Sequence, residues 1–150
     1  SAPILFKVLR YRDKVIELTG MFQREVAQRL CVVPGSKTYG IISVLIQAFY
    51  NVEYLFTVSE KVFFPPPKVK SAVIRMRRNN VEHLNCDEEL FFRVVKSSFN
   101  QRRKMLRNSL NSAFKLSSEE NPLLHLRPEQ LNVEQFISLT RWISENLTLE

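Results

Sequence analysis

The spacing of apolar residues changes along the chain, and it predicts α/β structure in the first half. Helices are predicted at the start of the chain and over residues 23–30, and strands over residues 15–22, 52–58 and 71–78. The last of these strands alternates most regularly, with Ala72, Ile74 and Met76 on one face and Val73 and Arg75 on the other. We therefore expect that strand to cover a core on one side only.

Residues 39–50 (YGIISVLIQAFY) are apolar nearly all round. Periodicity alone does not distinguish a buried helix from a buried strand in such a run. Its length and the absence of a break favour a helix, which is the prediction we make.

The pattern after residue 86 is helical throughout. Asp87 is the expected N-cap of a helix with Glu88 and Glu89 in its first turn, where the helix dipole favours negative charge. A break is expected near Asn100. The predicted inward-facing residues are Phe91, Phe92, Val95 and Phe99 before it, and Leu106, Leu110 and Phe114 after it.

The last helix is marked by a capping box, with Asn132 as cap and Gln135 three residues later. Its predicted buried face is Phe136, Leu139, Ile143 and Leu147. The fold class is therefore α/β followed by all-α, with one domain over residues 1–79 and a helical domain over residues 80–150.

The composition is that of a folded protein, with 45% hydrophobic and 25% charged residues. No apolar run approaches the ~20 residues that a membrane span requires. Cys31 and Cys86 are far apart, and neither they nor His83 and His125 show metal-ligand spacing. A disulfide is possible, but reduced thiols in a cytoplasmic protein without a metal are expected.

The formal net charge is +7, which attracts polyanions such as nucleic acid or an acidic membrane surface. Residues 61–78 hold six basic residues and residues 90–115 hold seven, and neither stretch contains an acid. A merely solvated face usually mixes both signs, so these two stretches favour a polyanion-binding surface.

A proline-rich segment lies in the first basic stretch. Residues 62–73 read VFFPPPKVKSAV, and three prolines prevent a regular strand. Prolines fix the backbone, so an aromatic ring held there beside Lys68 and Lys70 suits stacking on an unpaired base. At least one of Phe63 and Phe64 is expected in the core, and both being buried is the alternative.

The second basic stretch contains residues 98–110 (SFNQRRKMLRNSL). If a helix begins near Asn100, its free N–H groups and its dipole point toward Arg102 and Arg103, which would make a phosphate site. The nominated polar contacts here are Asn100, Gln101, Arg102, Arg103, Lys104 and Arg107.

These two segments resemble motifs of rRNA adenine dimethyltransferases. VFFPPPKVKSAV is similar to the family's F-x-P-x-P-K-V-x-S-A-V motif, and FNQRRKMLRNSL to its motif at the start of the helical domain. MFQREVAQRL, YGIISVLIQAFYNVEYLF and RPEQLNVEQF also fit, in order, over nearly the whole chain. Lys70 departs from the family, which often has Asp there. Bacterial small-subunit enzymes fit better than the related macrolide-resistance methyltransferases.

The resemblance implies the C-terminal part of a Rossmann-like methyltransferase sheet and a helical RNA-binding domain. The whole enzyme would dimethylate two adjacent adenines near the 3′ end of small-subunit (16S) rRNA, within a 30S precursor, using S-adenosylmethionine. Phe63 matches the position that stacks on the target adenine. Lys68, Lys70, Arg75, Arg77 and the nominated contacts of the second stretch would bind RNA.

The resemblance also places the methyl-donor site ahead of Ser1, so we expect no cofactor on this chain and no activity from it alone. The strand over residues 71–78 would lie between the other two, antiparallel to both. The strand over residues 15–22 would then have a bare edge, through which we expect the chain to self-associate. The alternative function is a non-catalytic nucleic-acid-binding module of the same lineage.

Overall fold

A computed structural model describes residues 2–148 as a mixed α/β protein with a small sheet and several helices. The chain divides into two compact units. The first contains residues 1–32 and 45–82, and the second contains residues 33–44 and 83–150. A short stretch ahead of the second strand is therefore part of the second, mainly helical unit.

The first half of the chain contains three helices and three strands within the described residues. They are α1 (Ala2–Arg10), β1 (Glu17–Gln23), α2 (Arg24–Cys31), α3 (Ile41–Gln47), β2 (Tyr50–Val58) and β3 (Ser71–Arg78). The strand order is β1-β3-β2, and β3 is antiparallel to both neighbours, which confirms the predicted arrangement. Ala72, Ile74 and Met76 are fully buried on one face of β3, as their alternation predicts.

The prediction of one helix over residues 39–50 is wrong in its extent. Helix α3 ends at Gln47, and after a turn Tyr50 begins β2 by pairing with Arg78. The Gln47 amide donates to the backbone carbonyls of Leu30 and Val32, at 2.9 Å each. Pairing with a strand that follows later in the chain therefore overrides the helical reading of a uniformly apolar run.

The residues of β1 alternate between exposed and half-buried along the strand. Among the described residues it pairs only with β3, so its other edge is open. A groove of about 360 Å³ lies along it, lined by Ile4 of α1 and by residues 18–23. Met21 is half exposed there.

The second unit is built on helices α4 (Glu88–Asn100), α5 (Leu106–Ala113) and α6 (Val133–Glu145). The predicted caps are confirmed: the Asp87 side chain accepts from the Leu90 N–H, and Asn132 and Gln135 form a capping box. Two predicted core positions of α4, Phe92 and Phe99, are only half-buried, and Leu147 is exposed beyond the end of α6. Val94 and Ser98 are buried in α4 instead.

Short 3₁₀ turns complete the chain, at Glu60–Val62, Pro122–His125 and Pro128–Gln130. No helix within residues 2–148 has the length and apolar character needed to span a bilayer.

Candidate nucleic-acid interface

The proline-rich segment leaves the sheet as an irregular loop, as predicted. Ser59 caps the turn at Glu60–Val62 by accepting from the Lys61 N–H at 3.2 Å. At the other end, the Lys70 carbonyl accepts from the Arg24 N–H at 2.9 Å, just before β3 begins. Three prolines restrict the backbone between these fixed points, so little backbone entropy remains to be lost there when a ligand binds.

The two phenylalanines of this loop have different environments. Phe64 is 99% exposed, and Phe63 is half-buried. Phe63 is the residue that the resemblance nominates for base stacking, whereas the geometry adds Phe64 as a fully accessible ring. A large aromatic side chain with almost no protein contact is unusual, because burial normally stabilises it.

The basic residues near this loop fall into two groups. Lys68 and Lys70 are exposed and have no side-chain partner within residues 2–148. Arg75 and Arg77 on β3 are ion-paired across the sheet: Arg75 lies 3.3 Å from Glu53, and Arg77 lies 2.6 Å from Glu17. Lys68 and Lys70 are therefore accessible in the loop, whereas Arg75 and Arg77 on β3 are partly neutralised.

The cross-strand pairs follow from the strand register. Glu53 and Glu17 stand directly opposite Arg75 and Arg77 on the neighbouring strands. Opposite charges at such positions attract each other across an antiparallel pair. The stretch over residues 61–78 has no acid in sequence, but it does have acids beside it in space.

The second basic stretch lies at a helix end rather than a helix start. Helix α4 ends at Asn100, and α5 begins only at Leu106. The phosphate site proposed at a helix N-terminus near Asn100 is therefore wrong. The carbonyl end of α4 carries partial negative charge, which favours the following cations instead of an anion.

Arg102 is directed toward its own protein. Its guanidinium donates to the carbonyl of Lys37 at 2.6 Å and to the carbonyl of Tyr39. The same group lies 5.7 Å from the centre of the Phe99 ring. The guanidinium nitrogen that faces residues 37–39 is therefore already occupied by hydrogen bonds within the second unit.

The other nominated residues of this stretch are more accessible. Arg103 and Lys104 are exposed and have no side-chain partner in the described part of the chain. Asn100 is exposed, whereas Gln101 is half-buried and its Oε1 has no hydrogen-bond partner within residues 2–148. Arg107 is exposed but lies 3.5 Å from Glu119.

Two titratable groups of this chain have strongly raised pKa values. Burial raises the pKa of Tyr39 to about 12, so its hydroxyl stays protonated at neutral pH. Burial, and then the carboxylates of Glu88 and Asp87, raise the pKa of Cys86 to about 11. No cluster of three or more His, Cys, Asp or Glu side chains that could hold a metal occurs among residues 2–148.

The family model described as ribosomal RNA adenine dimethylase matches residues 1–145. The chain belongs to this family. Among its relatives, the ribosomal RNA small subunit methyltransferase A of Bacteroides thetaiotaomicron is 60% identical over 149 residues, covering 98% of this chain and 56% of that protein. This member thus spans about half the length of the curated relatives it matches.

Two solved structures have a fold similar to that of this chain. A dimethyladenosine transferase from Plasmodium falciparum superposes with a TM-score of 0.75 at 20% identity, covering 93% of this chain and 61% of that one. The 23S rRNA methyltransferase ErmE gives 0.58 at 21% identity, with 95% and 60% covered. The small sheet with its helices is accordingly a methyltransferase-type arrangement.

The three glycines of this family member lie apart from one another. Gly20 lies within β1, Gly35 lies in a turn at φ +95°, and Gly40 precedes α3. None of the three belongs to a glycine-rich turn that could cradle a nucleotide-like cofactor at a helix N-terminus. Residues 2–148 include exposed cationic and aromatic side chains, among them Lys68 and Phe64.

Proposed function

We propose that this chain is the RNA-contacting part of an rRNA adenine N6,N6-dimethyltransferase. The enzyme would act on two adjacent adenines near the 3′ end of 16S rRNA, within a precursor of the small subunit. The observation that carries this proposal is a fully exposed phenylalanine, Phe64, on a proline-rich loop with exposed lysines, in a member of the rRNA adenine dimethylase family.

The loop has the chemistry that single-stranded RNA requires. Unstacked bases bind aromatic faces, and phosphates bind exposed cations. Phe63 is proposed to stack on the target adenine, since it matches the family position, and Phe64 to contact a neighbouring base. Lys68 and Lys70 would bind phosphates beside them.

Adenine N6 is a poor nucleophile, because its lone pair is delocalised into the ring. A base must therefore leave its stack and be held in line with the methyl donor. The rings of the proline-rich loop would hold the extruded base. S-adenosylmethionine would be held by residues outside this chain, and we expect no methyl transfer by the chain alone.

Binding to RNA tests the proposal directly. Four of the nominated basic residues are exposed and have no side-chain partner among the described residues: Lys68, Lys70, Arg103 and Lys104. About four single-strand phosphate contacts give a slope near −3 for log affinity against log salt. Anisotropy of a labelled RNA hairpin with adjacent adenines in its loop measures this slope. Heparin as competitor separates RNA recognition from general polyanion binding. Affinity for the hairpin that is independent of salt, or no affinity, would contradict the proposal.

The target itself is tested in the source cell. Disrupting the gene that encodes this chain should remove a pair of dimethyladenosines near the 3′ end of 16S rRNA. The loss is read as disappearance of a reverse-transcription stop at that site. A stop that persists in the disrupted strain would refute the assignment of the target.

We also propose that the chain self-associates through β1. Its open edge is lined by Ile4, Leu18 and Met21, and an unpaired strand edge tends to recruit another strand. Light scattering should show dimers or larger species at high concentration, and Met21→Lys should shift them toward monomer because lysine blocks edge pairing. A wild-type chain that stays monomeric at all concentrations would rule this out.

A further inference from the structure

The loop over residues 35–40, hereafter the 35–40 loop, is fixed at both ends within the second unit. At one end the Gly35 N–H donates to the backbone carbonyl of Glu129 at 2.6 Å. At the other, the Gly40 N–H donates to Ser43 Oγ at 3.1 Å. Local hydrogen bonds between Ser36 and Thr38, at 3.0 and 3.2 Å, hold its centre.

Tyr39 anchors the loop to helix α4. Its side chain is fully buried, and its ring lies 6.2 Å from the Phe99 ring in an edge-on arrangement. Lys37, two residues earlier, is exposed and has no side-chain partner within residues 2–148. The Lys37 side chain is therefore accessible to solvent and is attached to a backbone that is already ordered.

Arg102 connects this lysine to the second basic stretch. One guanidinium nitrogen donates to the carbonyls of both Lys37 and Tyr39, while the group lies against Phe99. The Arg102 side chain thus joins the backbone of Lys37 directly to the segment over residues 102–104. Arg103 and Lys104, the next two residues, are exposed and unpaired among the described residues.

We propose that Lys37 is an RNA phosphate contact and that Arg102 is a positioning residue, which holds Lys37 in one cationic site with Arg103 and Lys104. This inference rests on the function proposed above. It assigns a binding role to a residue outside both basic stretches, and it gives Arg102 a role that differs from direct phosphate contact.

The arrangement favours binding for a physical reason. The conformational entropy of the 35–40 loop is lost when the protein folds, so a phosphate that binds Lys37 does not have to order the loop. The carbonyl end of α4 tolerates the added positive charge. The flat guanidinium of Arg102 lies against the Phe99 ring while it donates to both carbonyls, and a shorter lysine with a compact ammonium would not reproduce that combination.

The test uses the chain with Lys37→Gln, Arg102→Lys and both changes together. Removal of one phosphate contact should lower the salt slope by about 0.7–0.9 and weaken RNA binding by about five- to eightfold at 0.1 M salt. Arg102→Lys keeps the charge, yet we expect a loss of similar size. The double variant should be no more than about twofold weaker than either single variant, because both changes remove the same contact.

Two measurements separate positioning from general destabilisation. Amide exchange at Thr38 and Tyr39 should accelerate in Arg102→Lys and remain unchanged in Lys37→Gln. Lys14→Gln, which removes an exposed charge from the first unit, is the matched control and should keep the wild-type slope.

Each result leads to a decision. If wild type binds the hairpin and Lys37→Gln binds equally well with an unchanged slope, the inference fails while the proposed function stands. If Arg102→Lys keeps full affinity and the losses in the double variant add, Arg102 is not a positioning residue. If the wild-type chain does not bind RNA at all, the proposed function itself fails.

Discussion

Replacing Phe64 by alanine should weaken RNA binding without destabilising the protein. The ring is 99% exposed, so truncating it removes almost no buried surface. The cost of about 3–5 kcal/mol that follows truncation of a buried phenylalanine does not apply here. We expect the free energy of unfolding to change by less than about 0.5 kcal/mol, as for an ordinary surface substitution.

The loss in binding is set by base stacking. Each base stacked on an aromatic ring contributes about 1–3 kcal/mol, which corresponds to a loss of about 5- to 150-fold in affinity. Stacking involves no counterion release, so the salt slope should stay at its wild-type value. Anisotropy of the labelled hairpin at several salt concentrations measures both quantities, and urea unfolding measures stability.

Matched variants separate the roles of the two rings. Phe64→Trp should keep affinity, and Phe64→Leu should lose it, because leucine is apolar but has no flat face. Phe63→Ala should lower stability as well as binding, since that ring is half-buried. Wild-type affinity in Phe64→Ala, or a change in its salt slope, would refute the stacking role of Phe64.

Three further outcomes are expected. Glu53→Gln should release Arg75 from its 3.3 Å ion pair and strengthen RNA binding by up to about fivefold at 0.1 M salt. The free energy of unfolding should change by under about 1 kcal/mol, and unchanged affinity would mean that Arg75 does not reach RNA. Asn132→Ala should lower the free energy of unfolding by about 1 kcal/mol and Tm by about 2–4 °C, because it breaks the capping box with Gln135. Asn132→Gly should lower the free energy of unfolding by only about 0.3 kcal/mol, and equal Tm values for wild type and both variants would contradict the cap. The Cys86 thiol has a pKa of about 11, so at pH 8 about one thiol in a thousand should be ionised. Alkylation by iodoacetamide should therefore be slow at pH 8 and accelerate up to pH 11, and a rate at pH 8 like that of free cysteine would contradict the burial of this thiol.

Several features of this protein follow from local sequence alone. The alternation of β3, the caps at Asp87 and Asn132, and the irregular proline-rich loop are all confirmed. Each depends on residues within a few positions of one another, through side-chain alternation, a hydrogen bond to a nearby N–H, or the fixed φ of proline. The family motifs are likewise continuous in sequence, so they indicate the family without the fold.

The state of each basic side chain was decided by the tertiary structure. Arg77 is neutralised by Glu17, which is 60 residues away, and Arg102 donates to a loop more than 60 residues earlier. No local pattern brings such pairs together, because strand register and loop docking are fixed by packing of the whole unit. Pairing with the distant strand β3 likewise ended α3 early and made Tyr50 the start of β2. The sequence therefore determined which charged and aromatic side chains the chain carries, whereas contacts between distant parts of the chain determined how accessible each of them is.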